Sequence, residues 1–154
     1  MARKDVNSHC ATMPGAEVSD PWGGGHDCWK VGGKMFALMG TMNLGVSIKC
    51  SDPSEAAMLI DLGRAERAPY LTRGSWVLVH WGAMDADELQ ARLTRSYLTV
   101  RRGLPKRVQA GLGPEPVVEA GNGATAGRQS GETPGGKAIP SRRASASSRP
   151  GRRS

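Results

Sequence analysis

Aromatic residues, cysteines and long apolar stretches are all scarce in this chain of 154 residues. Phe, Trp and Tyr together make up 5% of the sequence. The longest unbroken apolar run, Met35–Met39, is far shorter than the ~20 residues that span a bilayer, so neither a transmembrane helix nor a membrane partner is predicted. No basic segment followed by a long apolar one stands near the start, which argues against a secretory signal.

The chain has three cysteines, an odd number without short spacings, and this argues against a disulfide framework. Reduced thiols in a chain without a secretory signal predict a cytoplasmic location. The spacings between the histidines and the cysteines match no zinc-binding pattern. We therefore expect neither a metal ion nor another cofactor.

Aromatic residues are missing altogether after residue 110. Residues 111–154 are rich in Gly, Pro, Ser and Arg, and they hold too few large apolar side chains to offset the entropy lost on ordering. This predicts one folded domain, residues 1–110, followed by a disordered basic tail, residues 111–154. The net charge of the chain is +7, which favours polyanionic partners such as nucleic acid.

A β-hairpin is predicted around Gly32-Gly33, which separates the segments Asp27–Val31 and Lys34–Met39. Two glycines suit a tight turn in which both central residues have positive φ. This turn would place Trp29 opposite Phe36 as buried cross-strand neighbours. One face of the hairpin would carry Trp29, Val31, Phe36 and Leu38, and the other Cys28, Lys30, Met35 and Ala37.

Apolar periodicity, capping residues and turn signals predict the remaining elements. These are a helix at 4–13, a third strand in which Leu44, Val46 and Ile48 face the helices, a helix beginning after Asp52, strands at 65–71 and 76–81, and a helix from Asp85 to about Arg102. The order α-β-β-β-α-β-β-α predicts an α+β fold, a two-layer α/β sandwich with a five-stranded antiparallel sheet and helices on one face. The other face would stay open to water or to a partner, and it would carry Lys30, Met35, Ser47 and Lys49.

Four ordered segments of the first 108 residues resemble motifs of the MmcQ/YjbR family. They are Met13-Pro14-Gly15-Ala16-Glu17, the hairpin from Trp29 to Leu38, Ala68-Pro69-Tyr70-Leu71 with Trp76 just after, and Ser96-Tyr97 followed by Leu104-Pro105-Lys106-Arg107. The resemblance implies a two-layer α/β fold of the kind shared with secretion chaperones. It also implies the function usually attached to the family, that of a bacterial DNA-binding protein.

Basic residues in these segments, or in the dense cluster near residue 101, are the candidate contacts to nucleic acid: Lys30, Lys34, Arg101, Arg102, Lys106 and Arg107. Cationic side chains release counterions from phosphates, which supplies affinity without base-specific readout. We therefore expect a small non-enzymatic bacterial DNA-binding protein that acts mainly through electrostatic contacts. The alternative is a protein-interaction or chaperone-like module that uses the exposed sheet face around Met35. For the cluster itself, stabilisation of a helix C-terminus by cations is an equally good explanation.

The tryptophans are also candidates for stacking on nucleic-acid bases. Alternation groups Trp29 with core residues. Trp76 and Trp81 are five residues apart and cannot share one strand face, so one of them should be exposed or at the strand end.

Catalytic motifs are not visible in the sequence. No Ser-His-Asp, Cys-His or paired-carboxylate pattern is present. Gly32-Gly33-Lys34 lacks the upstream glycine of a phosphate-binding loop, and Gly131–Lys137 has the spacing of such a loop without the following Ser or Thr. These observations favour a binding protein over an enzyme.

Overall fold

The computed structural model of the chain describes residues 1–71 and 73–118. The helices are α1 (Arg3–Ala11), α2 (Pro53–Asp61), α3 (Ala86–Arg102) and α4 (Lys106–Gly111). The strands are β1 (Ala16–Ser19), β2 (Asp27–Val31), β3 (Lys34–Met39), β4 (Gly45–Lys49), β5 (Glu66–Arg67) and β6 (Trp76–His80). The fold is α+β, as predicted, but the sheet of the described residues has six strands rather than five. The sequence analysis missed β1 and α4.

The six strands form one antiparallel sheet in the order β1-β2-β3-β4-β6-β5. The β2–β3 turn lies at the same end of the sheet as Trp76, and we call this the hairpin end. The opposite end, with Gly40 and Trp81, is the loop end. Alternate strand residues pack with the helices into one core, in which the rings of Phe36 and Tyr97 meet edge to face with their centroids 5.4 Å apart.

The Gly32-Gly33 turn has the predicted geometry. Both residues have positive φ, +58° and +79°, which glycine adopts without steric cost. A Cβ at Gly32 would also lie 2.5 Å from Leu104 Cδ1, the residue just beyond α3. The positive φ therefore favours glycine at this position, where the hairpin closely approaches the Leu104 side chain.

The predicted pairing of Trp29 with Phe36 is wrong, although both side chains are buried. The β2–β3 register shifts between Trp29 and Lys30, so that Trp29 lies opposite Ala37 and Phe36 is the additional residue. An additional residue reverses the alternation that follows it. Ala37 and Met39 consequently face the core, and Leu38 lies on the other face with its partner Cys28.

The third predicted strand, β4, begins at Gly45 rather than at Leu44, one residue later than predicted. Val46 and Ile48 are buried in the core as expected, whereas Leu44 precedes β4 and is half exposed. The chain is still turning at Asn43, whose φ is +55°. Leu44 therefore lies at the loop end, beyond the part of the sheet that the helices cover.

Two aspartates begin helices as predicted. Asp52 accepts a hydrogen bond from the Glu55 N–H at 2.9 Å, and Asp85 accepts one from the Glu88 N–H at 2.8 Å. Each carboxylate satisfies an amide that has no partner within its helix and interacts favourably with the helix dipole. These acidic side chains are thus committed to helix starts.

Strands β3 and β4 separate at the hairpin end, where a serine of α3 joins them. Their direct pairing comprises Ala37 with Ile48 and Leu38 with Ser47. At the next position the buried Ser96 hydroxyl donates to the Phe36 carbonyl at 2.6 Å and accepts from the Lys49 N–H at 2.8 Å. Ser96 therefore replaces a direct bond between the strands and anchors α3 to both of them.

The folded domain extends beyond residue 110, so the boundary predicted there is too early. Leu112 packs against Gly15. The Arg101 side chain, only 3% exposed, donates to the carbonyls of Gln109, at 3.4 Å, and of Gly113, which holds the segment after α4. Residues 1–118 form one compact unit. The part of the predicted disordered tail at 119–154 lies outside the described residues.

Replacing Ser96 should destabilise the domain. Ser96→Ala leaves the Lys49 N–H and the Phe36 carbonyl buried without their partner, and unsatisfied groups of this kind cost about 1–3 kcal/mol. Urea unfolding followed by circular dichroism measures the change. Thr99→Ala is the matched control, because the Thr99 hydroxyl bonds only the Arg95 carbonyl of its own helix. Equal stability of the two variants would contradict the bridging role of Ser96.

Two truncations should separate the tail from the domain. A chain that ends at Val118 keeps Leu112 and the Gly113 carbonyl, and its melting temperature should match that of the full chain. A chain that ends at Gly111 loses both and leaves the Arg101 guanidinium with fewer acceptors, so it should melt several degrees lower. Differential scanning calorimetry tests this, and identical melting of both truncated chains would restore the boundary at residue 110.

His9 should make the domain sensitive to mild acid. The His9 Nε2 lies 3.0 Å from Thr94 Oγ1 on α3, and burial there lowers the pKa of His9 below its usual value of 6.5. As pH falls through 6.5, the unfolded chain takes up a proton at His9 that the folded protein does not, so the free energy of unfolding decreases. His9→Gln should flatten this slope between about pH 7.5 and pH 5.5 in urea titrations. An unchanged slope would assign the pH dependence to other groups.

Candidate functional site

A cavity of about 320 Å³ opens at the hairpin end, between the start of β3 and the end of β4. It lies beside the point at which Ser96 takes the place of direct strand pairing. The residues that line it are Lys34, Met35, Lys49, Trp76, Thr99, Val100, Gly103 and Leu104. We call this the hairpin-end cavity. Its walls combine two ammonium groups with an indole and aliphatic side chains.

The lysines of this region carry uncompensated charge. Lys34 and Lys49 line the cavity, and Lys30 is the cross-strand partner of Met35. Within residues 1–71 and 73–118, no carboxylate oxygen lies within 4.0 Å of any of these three ammonium groups. Opposite charges do pair elsewhere: Arg92 with Glu55, Arg64 with Glu88, and Arg3 with Asp27. The hairpin end can therefore attract an anion.

The structure brings four of the six sequence-predicted cations to this end. Lys30 and Lys34 flank the turn that contacts Leu104. Lys106 and Arg107 are exposed at the start of α4, which follows Leu104 after Pro105. Lys30 is the least favourable of these four cations for binding an anion, because the acidic Glu17 lies opposite it in the register of β1 and β2.

Arg101, the fifth predicted cation, is buried and cannot contact a phosphate backbone from this position. Its guanidinium donates to the Tyr97 hydroxyl at 3.1 Å as well as to the backbone carbonyls that follow α4. The Tyr97 hydroxyl in turn donates to the Pro14 carbonyl. Arg101 is therefore a structural residue that links α3, the start of β1 and the end of the domain.

Arg102, the sixth, is exposed but already paired. It donates two hydrogen bonds to the Glu115 carboxylate, at 2.7 and 3.0 Å. The hydrogen bonds from this guanidinium lower the pKa of Glu115. This bidentate pair uses two of the five N–H donors of the guanidinium and places a carboxylate against its charge. Arg102 thus contributes less to anion binding than its position in the sequence indicates.

The sequence-based list omitted Lys49 and Trp76. The sequence pattern does indicate that both are accessible. It places Lys49 on the open sheet face, and it requires one of Trp76 and Trp81 to be exposed or at the strand end. Periodicity could not show that these two residues meet. Lys49 and Trp76 are cross-strand partners. Both side chains also lie beside Gly74, since a Cβ atom built on Gly74 would be 3.8 Å from Lys49 Cε and 3.8 Å from Trp76 Cδ1.

A second cavity, of about 410 Å³, lies on the other side of Trp76, between α2 and the loop at 68–75. Its lining is mixed: apolar side chains come from Pro53, Ala56, Ala57, Ile60, Ala68, Leu71 and Trp76, and the remaining residues are Arg67, Gly74 and Ser75. The neighbouring Tyr70 is 97% exposed and has φ +67°, a conformation that is unfavourable for a bulky residue. Backbone strain of this kind concentrates at functional sites.

The open sheet face offers little apolar surface to a protein partner. Cys28, Leu38, Ser47 and Leu78 form one cross-strand row, yet Leu78 is only 6% exposed, and Met35 is half buried. Among the exposed large hydrophobic side chains, Val18 lies on the edge strand β1, and Trp22, Met42 and Leu44 lie in the loops of the loop end. This distribution does not favour a chaperone-like sheet face.

Covalent and metal chemistry have little support in the described residues. Burial raises the pKa of Cys10 to about 12 and that of Cys50 to about 11, so both are protonated, poorly nucleophilic thiols at neutral pH. No group of three or more His, Cys, Asp or Glu side chains within residues 1–71 and 73–118 could hold a metal ion. None of the helices described above is long and apolar enough to cross a membrane.

Comparisons with known proteins agree with this fold. No curated protein matches the chain. A crystal structure of the Deinococcus radiodurans protein DR2400, of the domain family DUF419, is 26% identical in sequence. It aligns over 80% of this chain and 96% of its own with a TM-score of 0.68. A family model described as YjbR matches residues 11–99, which is more than half of the chain. With the hairpin, the central loop and α3 in place, the chain belongs to the YjbR family.

Proposed function

We propose that the protein is a non-enzymatic DNA-binding protein that holds the phosphate backbone at its hairpin end. One observation carries this proposal: Lys34 and Lys49 line one cavity, and no carboxylate among the described residues pairs with either of them. Lys106 and Arg107 extend the same surface onto α4. We also propose a cytoplasmic location, in which the protein would meet DNA.

The binding should be electrostatic rather than sequence-specific. Lysine ammonium groups act as point charges on phosphates, and each contact releases condensed counterions. No recognition-helix motif with base-reading side chains is evident in the sequence. The proposal is therefore backbone recognition with a strong dependence on salt concentration.

A protein-binding module at the open sheet face is the weaker candidate. Apolar interaction sites require contiguous exposed apolar area. The near-complete burial of Leu78 and Ser47 limits that area at the middle of the sheet. The charges of the hairpin end support nucleic acid instead.

Neutralising the lysines of the cavity should reduce both the affinity for DNA and its dependence on salt. For Lys34→Gln and Lys49→Gln, each lost phosphate contact lowers the slope of log affinity against log salt by about one unit, and different sequences weaken alike. Fluorescence anisotropy with a labelled duplex at several salt concentrations measures this. Lys4→Gln is the matched control, because Lys4 is exposed on α1 at the loop end.

The basic residues beyond 118 require a parallel measurement. The same titrations should be made with a chain that ends at Val118, so that binding by residues 119–154 is counted separately. Absence of DNA binding by the shorter chain at low salt, or an affinity that responds to Lys4→Gln as strongly as to Lys49→Gln, would contradict the proposed site.

A further inference from the structure

Trp76 occupies a special position on this surface, because it lines both cavities. One is the hairpin-end cavity with Lys34 and Lys49, and the other is the cavity between α2 and the loop that precedes β6. An aromatic ring beside two ammonium groups matches the two parts of a nucleotide. The phosphate is anionic, and the base is flat and can stack.

The tryptophans of the sheet differ in what their indole N–H groups contact. The Trp29 N–H donates to Asn7 Oδ1 at 2.8 Å, and the Trp81 N–H donates to the Asn43 carbonyl at 2.8 Å. Within the part of the chain that the structure describes, the half-buried Trp76 has no protein acceptor for this group. The Trp76 N–H is not among the fully buried polar atoms, so it is a donor that a bound ligand can use.

The loop beside Trp76 carries a second aromatic group. Tyr70 is almost fully exposed in its left-handed conformation, and Gly74 of the same loop lies against both the Trp76 indole and the Lys49 side chain. Aromatic groups next to lysines are the usual composition of surfaces that bind single strands. In a duplex the bases stack on one another and cannot enter a cavity.

We propose that Trp76 stacks on an unpaired base while Lys34 and Lys49 hold the adjacent phosphates, so that the preferred ligand is single-stranded DNA. This inference rests on the proposed function and narrows its substrate. It assigns affinity to two separable sources: stacking at Trp76, which is insensitive to salt, and ion pairing at the lysines, which is sensitive to it. The two sources are distinguishable by experiment.

The test uses the full chain with a labelled oligothymidylate and a duplex of equal length. Trp76→Ala should weaken binding of the single strand by roughly tenfold and leave the salt slope unchanged, since stacking contributes about 1–3 kcal/mol per base. Duplex binding should change little. Trp76→Phe, which keeps an aromatic plane, should retain most of the affinity. Trp22→Ala is the matched control, because Trp22 is 61% exposed but lies at the loop end.

Intrinsic fluorescence provides a second readout in the unsubstituted protein. A base stacked on Trp76 should quench part of the emission when oligothymidylate is added, and this quenching should be absent in Trp76→Phe, a variant whose fold circular dichroism can verify. Quenching that persists in Trp76→Phe would overturn the stacking inference.

The outcomes also separate this inference from the proposed function. Equal losses for the single strand and the duplex in Trp76→Ala, or no loss for either, would overturn stacking while leaving electrostatic DNA binding intact. Failure of the full chain to bind either form at low salt would overturn both.

Discussion

The hydroxyl of Ser96 determines the shape of the hairpin end. It donates to one strand and accepts from the next, so β3 and β4 are held at a distance that direct pairing would not allow. Because the same serine belongs to α3, the helix is fixed to the sheet at the place where its C-terminal turn meets Lys34 and Lys49. The hairpin-end cavity lies beside this separation, and the direct pairing of β4 with β6 brings Trp76 to it.

The charged side chains of the domain fall into two classes: those that stabilise the fold and those that can bind a ligand. Among the described residues, Asp52 and Asp85 begin helices, and Glu55, Glu88 and Glu115 pair with arginines. The guanidinium of Arg101 donates hydrogen bonds to backbone carbonyls. Arginine suits these roles because its planar fork satisfies several acceptors at once, whereas lysine remains a mobile point charge. The hairpin end is consequently basic even though the domain carries many acids.

The errors of the sequence analysis have physical causes. The pairing of Trp29 was wrong because an additional residue in β3 shifts the register, and such a bulge leaves no mark in an apolar alternation pattern. Strand β1 was missed because three of its four residues are exposed, so it forms only by adding to the free edge of β2. Helix α4 was missed because it buries none of its residues.

Local chemistry in the sequence was sufficient to predict the Gly32-Gly33 turn, the helix starts at Asp52 and Asp85 and the α+β class, because each depends on residues close together in the chain. The sequence by itself also offered Lys34, Lys106 and Arg107 as candidate contacts to an anion. Only the tertiary structure decided that Arg101 is buried, that Arg102 is paired, and that Lys49 and Trp76 join Lys34. Those outcomes depend on contacts between residues far apart in sequence, for which hydrophobic periodicity carries no signal.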